Sequence, residues 1–319
     1  MPKFFKKYSR EMSVAIAIVV MFIFFGIMDP IYVSTANIRD IIEQATIYGL
    51  MGIGITGIII TGGIDLSVGS ALALIGVLTA KLAVAGAHPV VCLAFGLTIG
   101  LLLGTINGLL VTRVKLQPFI ATMGTMSIYR GFAYVFTKGY PVLGIPQTYR
   151  RFIDGEILPF VRISVLIFFL FAIIMHLVLS RTRLGTHVYA IGGNVEATRL
   201  SGVRVALNQT AIFSLGMCGT ALAAMIQIGK MGTGDPTTGN GWELNAIAAA
   251  AIGGTSMAGG RGNVFGTVLG AILFAGLRVG LIVMGIDTFY QFIATGIVII
   301  LAAAIEVMQT NISTKARKL

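Results

Sequence analysis

Residues 89–111 read PVVCLAFGLTIGLLLGTINGLLV, twenty-three residues without a charge. A helix rises 1.5 Å per residue, so about 20 apolar residues cross the roughly 30 Å hydrocarbon core of a bilayer. This stretch is therefore long enough and apolar enough to be a membrane span. Within it Gly100, Gly104 and Gly108 recur at every fourth residue, which puts them on one face. A face without side chains lets two helix backbones approach closely in lipid, where apolar side chains gain nothing by leaving hydrocarbon.

Working outward, comparable stretches occupy 12–28, 46–61, 66–85, 119–137, 163–180, 208–228, 245–258, 264–284 and 289–308. The expectation is an all-α polytopic membrane protein with about ten transmembrane helices. The stretches at 46–61 and 245–258 are short and broken by glycine, so eight or nine spans plus re-entrant segments is the alternative. Composition agrees with this class. Of 319 residues, 56% are hydrophobic and 11% charged, against roughly 25% charged in soluble domains, and the mean hydropathy is +0.92. Too few polar groups remain to cover a soluble surface. Disorder, a disulfide scaffold, collagen and a soluble enzyme are excluded. Cys92 and Cys218 lie in apolar runs without neighbouring His or Cys, and read as small core residues.

The net charge of +11 would suggest nucleic acid in a soluble chain. Here its placement sets the topology instead. With ten spans and a cytoplasmic N-terminus, one side collects Lys3, Lys6, Lys7, Arg10, Arg113, Lys115, Arg181, Arg183, Arg199, Arg204, Arg261, Lys315, Arg317 and Lys318 against Glu11, Asp65, Glu196 and Glu306. The other side holds nearly balanced charge. Positive residues favour the cytoplasmic side, so both termini are expected there. Residues 1–11 are then a cytoplasmic N-terminus, 12–308 the transmembrane domain and 309–319 a basic cytoplasmic tail. The stretch 12–28 follows basic residues but is succeeded by Asp29-Pro30 with no small-x-small cleavage site, so it reads as an uncleaved first helix.

No phosphate-binding G-x-x-x-x-G-K-[ST] loop is present; Gly229-Lys230 is followed by Met231. His88, His176 and His187 show no metal-ligand spacing, and no nucleophile elbow occurs. No catalytic residue and no metal site is expected. Ion-coupled carriers place ionisable groups inside the bilayer, yet these spans hold only Asp65 at a boundary, Arg130 and Arg278 inside, and Glu306 near an end. The two arginines are expected to snorkel or pair. A chain with few coupling groups and no nucleotide site most simply takes its energy from a separate subunit.

The loop 181–207 is where such a subunit would dock. Asn194 suits a helix N-cap and Gly202 the left-handed position after the helix. Glu196 in the first turn favours the dipole and reaches Arg199 at i+3. Two readings are open: a docking knob or a plain amphipathic connector. Two outside loops are expected at 138–162 and 229–244. The second carries Asn240, Glu243 and the chain's one tryptophan, Trp242, as an interfacial anchor or partner contact. The halves also echo one another. Gly62-Gly63-Ile64-Asp65-Leu66-Ser67-Val68-Gly69-Ser70 and Gly253-Gly254-Thr255-Ser256-Met257-Ala258-Gly259-Gly260-Arg261-Gly262 each interrupt apolar stretches, as internal repeats would.

Four stretches carry a resemblance. They are Thr61 to Ser70, Phe119 to Gly131 (FIATMGTMSIYRG), Val188 to Val203 (VYAIGGNVEATRLSGV) and Gly241 to Gly262 (GWELNAIAAAAIGGTSMAGGRG). Spread over nearly the whole chain, they resemble the permease subunits of bacterial ABC importers for ribose, xylose, arabinose and galactosides. One departure is Asn245, where relatives often carry Asp after Glu-Leu; an amide keeps hydrogen bonding but holds no charge. The resemblance implies a non-catalytic permease in the bacterial inner membrane, passing a monosaccharide. It implies a second permease copy (the same chain or a paralogue), an ABC ATPase that binds ATP and magnesium, and a periplasmic sugar-binding protein. The chain itself would bind no cofactor and no nucleic acid, and would be surrounded by membrane lipid. On this resemblance the ATPase coupling loop holds Asn194, Glu196, Ala197, Arg199, Leu200 and Gly202. By their position along the chain, Asp65, Ser67 and Asn107 are expected in the substrate path or gate, and Asn240, Trp242 and Glu243 at the periplasmic mouth or in receptor docking. Much of the selectivity is expected in the binding protein, so the sugar is not named. An ion-coupled carrier would instead need intramembrane ion ligands, and a passive channel would conduct without partners.

Overall fold

The computed structural model describes residues 9–158, 161–287, 289–294, 296–297, 300 and 304. Its helices are α1 (Ser9–Met28), α2 (Thr35–Ile60), α3 (Val68–Val84), α4 (Pro89–Thr112), α5 (Pro118–Thr137), α6 (Gln147–Asp154), α7 (Ile163–Arg181), α8 (Arg183–Gly193), α9 (Val195–Leu200), α10 (Val205–Met231), α11 (Trp242–Ile252) and α12 (Val264–Val283). A short antiparallel hairpin, β1 (Glu156–Leu158) and β2 (Val161–Arg162), sits between α6 and α7. Among the described residues α1, α2, α4, α7, α10 and α12 are long and apolar enough to cross a membrane, and α3 and α11 are shorter apolar helices. Exposed side chains such as Ile16, Val20, Leu102, Leu170 and Ile173 cover the outer faces of α1, α4 and α7, as contact with lipid requires.

The core forms around α2, buried from Ala45 to its last residue, Ile60. Its crowded glycines each admit a neighbour. Gly49 takes the Phe168 ring of α7 and Gly57 the Ile212 side chain of α10, while Gly52 faces α11. A Cβ on Gly54 would sit 2.1 Å from the Gly216 carbonyl oxygen of α10, so the two backbones touch. The ladder in α4 works the same way against α10: Gly100 faces Met217 and Ala221, Gly104 faces Phe213 and Ser214, and Gly108 faces Thr210. In α12, Gly266 and Gly270 receive the carbonyls of Gly253 and Ala249, while Gly276 and Gly280 receive Met21 and Phe25 of α1.

These contacts separate two kinds of glycine. A Cβ on Gly104 would lie 2.4 Å from the Phe213 carbonyl oxygen and 2.7 Å from the Ser214 Cα, whereas one on Gly124 meets nothing within 4 Å. Gly104→Leu should therefore force α4 off α10 and destabilise the fold by about 2–3 kcal/mol. Gly124→Ala should be neutral or slightly stabilising, by at most about 1 kcal/mol. Thermal unfolding of the two variants in detergent checks this; equal midpoints would refute the packing assignment.

Two expected spans differ in the structure. The stretch 46–61 is the second part of a 26-residue helix that begins at Thr35, where Ser34 caps the chain by accepting from Asn37 N. The stretch 245–258 becomes the 11-residue α11 followed by a glycine-rich loop. Eleven residues rise only about 17 Å, too little to cross alone. The helix stops because Gly253 and Gly254 follow, the latter at φ +87°. The expected span 289–308 and the tail 309–319 lie largely outside the described residues. The loop 138–162 is not featureless: α6 packs Ile153 onto Gly229 of α10 and donates Tyr149 OH to the Met225 carbonyl at 3.2 Å.

Candidate functional site

The bundle has two ends, which the central helix defines. The N-terminal part of α2 lies beside the β1–β2 hairpin, through Glu43 and Arg162. Its C-terminal Ile60 lies beside α8, through Gly192. These are called the hairpin end and the knob end.

Asp65, Ser67 and Asn107 come together in one fully buried cluster. Ser67 donates through both its amide and its hydroxyl to Asp65 Oδ1, at 2.8 and 2.6 Å. Asn107 Nδ2 donates to Asp65 Oδ2 at 3.1 Å and to Ser67 Oγ at 2.8 Å. Tyr129 OH donates to Asn107 Oδ1 at 3.0 Å, and Thr122 Oγ1 joins the Ile64 carbonyl to the Leu66 amide. The cluster pins α4 and α5 to the loop that starts α3. Its carboxylate is satisfied wholly by neutral donors, which is the condition for a buried polar group to be tolerated.

The segment 232–262 is a broken element. Its first part turns inward from the hairpin end through left-handed Gly232, Gly239 and Gly241. That irregular backbone leaves carbonyls without helical partners, and Arg130 supplies donors for them. Its guanidinium reaches Pro236 O at 2.5 Å, Thr238 O at 2.8 Å and Gly69 O at 3.4 Å. Arg130 thus neither snorkels nor pairs with a carboxylate among the described residues; it holds backbone. Glu243, expected at the periplasmic mouth or in receptor docking, is only 7% exposed, turned back onto the amides of its own helix start and packed on Gly69. Asn240 is exposed, and Trp242 is half-buried, its ring edge-on to Tyr48 at 5.5 Å. Asn240, Trp242 and Arg278 share one cavity near the hairpin end.

At the knob end, α9 is closed by its own residues. Asn194 Oδ1 accepts from Ala197 N at 2.9 Å. Gly202 adopts φ +81°, Gly202 N donates to Arg199 O, and Val203 N donates to Thr198 O, which together make a Schellman closure. Glu196 and Arg199 pair at 2.7 Å on the exposed face. Leu200, at 85% exposure, is the most exposed large apolar residue described, and Val195 at the start of α9 is exposed as well. Ala197 completes that face, while Thr198 is buried beneath it.

Below α9, α8 is fastened to the bundle. Tyr189 OH donates to Gly262 O at 2.7 Å, and burial raises its phenol pKa, keeping the proton in place. Gly192 lies against Ile60 O and Gly260 N, and Gly260 N itself donates to Ile60 O at 2.8 Å. The two glycine-rich segments that echo one another in sequence therefore meet each other and the knob at a single junction.

One cluster went unread in the sequence. Glu43, its side chain 8% exposed, accepts from Arg39 at 3.0 Å and pairs with Lys230 at 2.5 Å, while Arg162 forms an ion pair with it at 2.8 Å without a hydrogen bond. Arg162 also bonds Asp154 at 2.6 Å, and Arg39 bonds Glu156 at 2.7 Å. The network ties α2, the hairpin and the end of α10 together. The i,i+4 spacing of Arg39 and Glu43 was the available signal. Among the described residues no group of three His, Cys, Asp or Glu could hold a metal ion.

A protein family described as the permease component of branched-chain amino acid transport systems matches residues 37–303. The ribose import permease protein of Bacillus subtilis is 38% identical, over 93% of this chain and 92% of its own length. The D-allose transport system permease protein of Escherichia coli is 36% identical over 95% and 92%. The galactose/methyl galactoside import permease protein of Haemophilus influenzae is 34% identical over 90% and 92%. No solved structure matches the chain.

Proposed function

Because the chain belongs to this family of transport permease components, we propose that it is the membrane subunit of an ABC importer carrying a monosaccharide across the bacterial inner membrane. The full-length relatives are named for ribose, allose and galactosides, which favours a neutral, hydroxyl-rich solute over an amino acid. The observation that carries the reading is the knob: a self-capped helix with an exposed Leu200, mounted on the junction of the two broken segments.

In this reading ten segments cross the membrane, the eighth as α11 with its following loop. The knob end and both termini face the cytoplasm, where the positive charge lies, and the hairpin end faces the periplasm. Each echoing segment lies between a helix arriving at the knob end and one leaving it, which fits an internal repeat. The partners are an ABC ATPase carrying ATP and magnesium, a second permease copy and a periplasmic sugar-binding protein; the chain itself holds no cofactor. Asp65, Ser67 and Asn107 belong to the substrate path or gate, a reading that their burial and mutual hydrogen bonds support. Movement of α9 by the ATPase would reach the 61–67 and 253–262 loops through Gly192.

A pull-down in mild detergent tests this, comparing wild type with the double variant Asn194→Pro, Glu196→Lys. The ATPase is expected to co-purify with wild type, and its recovery from the variant should fall about tenfold, the effect of losing a cap and reversing a contact charge. Absence of an ATPase from folded wild-type protein would overturn the assignment.

A further inference from the structure

The cavity near the hairpin end is lined by Asn240, Trp242, Asn245, Phe274, Arg278 and Gln291, among others; it has a volume of about 70 Å³ and is open on one side. Arg278 lies fourteen residues beyond the start of α12, about 21 Å along that helix. It therefore lies in the part of α12 toward the hairpin end, five residues before Val283. No ion pair reaches it among the described residues. Its guanidinium instead donates to Tyr48 OH and, at 3.3 Å, to Gln291 Oε1, and stands 5.8 Å from the centre of the Tyr48 ring. The Asn245 side chain also bonds Tyr48. Tyr48 in turn packs edge-on to both Trp242 and Phe274, at 5.5 and 5.9 Å, so one wall of the cavity is aromatic.

We propose that this cavity is a monosaccharide-binding site within the permease itself, with Arg278, Asn240 and Asn245 on the sugar hydroxyls and Trp242 against its C–H face. The inference rests on the reading of the chain as a sugar permease. The carboxamides of Asn240 and Asn245 carry both donors and acceptors, as a polyol's hydroxyls do. A bound anion would offer acceptors alone and leave the amide oxygens facing lone pairs. Arg278 brings a planar set of donors that adjacent hydroxyls can share, and it is held in position by Tyr48 before any solute arrives. An aromatic wall with a few convergent polar groups is the general make-up of a small-molecule site. A site on a conduction path must also release its solute, so binding is expected to be weak.

Trp242 is the only tryptophan in the chain, so its emission reports on this cavity without labelling. The full-length permease in lipid nanodiscs, with no binding protein, is titrated with D-ribose, D-allose and D-galactose, and separately with sodium sulfate. A saturable emission change with at least one sugar is expected, with half-saturation at about 1–10 mM. Asn245→Leu and Arg278→Gln should each raise that concentration about tenfold or more. Folding of the variants is checked by their elution profile, and the wild-type titration stands even if one fails to fold. A response to sulfate and not to sugars overturns the proposal in favour of an anion site, and no saturable response to any of them overturns it outright. Uptake by the complete importer separates the two readings. If ATPase-dependent sugar uptake proceeds with a silent Trp242, the cavity site falls and the permease reading stands; if no sugar is taken up, the permease reading falls.

Discussion

Gly192→Ala is expected to uncouple the permease from its ATPase without releasing it. A Cβ at Gly192 would lie 1.7 Å from the Ile60 carbonyl oxygen and 2.4 Å from the Gly260 amide nitrogen. Both are backbone atoms that already bond each other, so no side chain can yield. The end of α8 must lift from the junction. α9 is closed by Asn194 and by the Gly202 turn, independently of that contact, and so keeps its shape. The ATPase should still co-purify, while ATP-driven uptake falls about tenfold or more, as expected for losing a coupling free energy of about 1–3 kcal/mol. The adjacent Gly193, where a Cβ meets nothing within 4 Å, provides the comparison. Gly193→Ala should transport like wild type. Wild-type uptake by Gly192→Ala would show that the junction transmits nothing.

Glu43→Gln should give the largest loss of stability of any single change among the ion pairs of the described residues. Its carboxylate serves three cations whose side chains are 27–30% exposed. Arg39 and Arg162 retain Glu156 and Asp154 when it is gone, but Lys230 loses its ion pair. Breaking a buried pair by removing one partner costs about 3–5 kcal/mol, and partial exposure of the cations lowers this to about 3 kcal/mol. A clear drop in the unfolding midpoint in detergent is expected. Adding Lys230→Met to Glu43→Gln should recover part of it, since the stranded charge is then removed. Equal midpoints for wild type and Glu43→Gln would show that the network is solvated and carries no load.

Much of this architecture is legible in the sequence because it depends on local spacing. Gly100, Gly104 and Gly108 declare a close helix contact, and Asn194 with Gly202 declares a capped helix, before any partner is known. Asp65, Ser67 and Asn107 stand out by position at the ends of apolar stretches, and the structure joins them in one cluster. What escaped depends on residues far apart in the chain. Nothing local tells that Glu43 meets Arg162 and Lys230, or that Arg130 holds carbonyls from a loop a hundred residues later. The start of α2 was hidden because Asn37, Arg39, Asp40 and Glu43 interrupt the apolar pattern, although Ser34 stands ready as its cap. The burial of Glu243 against its own helix start and Gly69 is likewise set by a partner far away in the chain, which composition does not reveal.

The contact of α1 with α12 also has a meaning in time. Met21 and Phe25 fill the hollows at Gly276 and Gly280, and Tyr32 donates to the Gly276 carbonyl. About 250 residues of synthesis separate the two sides of this seam, on the order of 10–50 s at 5–20 residues per second. The first helix made therefore waits in lipid, stable by its own backbone bonds, until nearly the last helix arrives. The cavity around Arg278 is completed in the same late step, so a stalled or truncated chain holds a nearly finished bundle that has neither its seam nor its binding cavity.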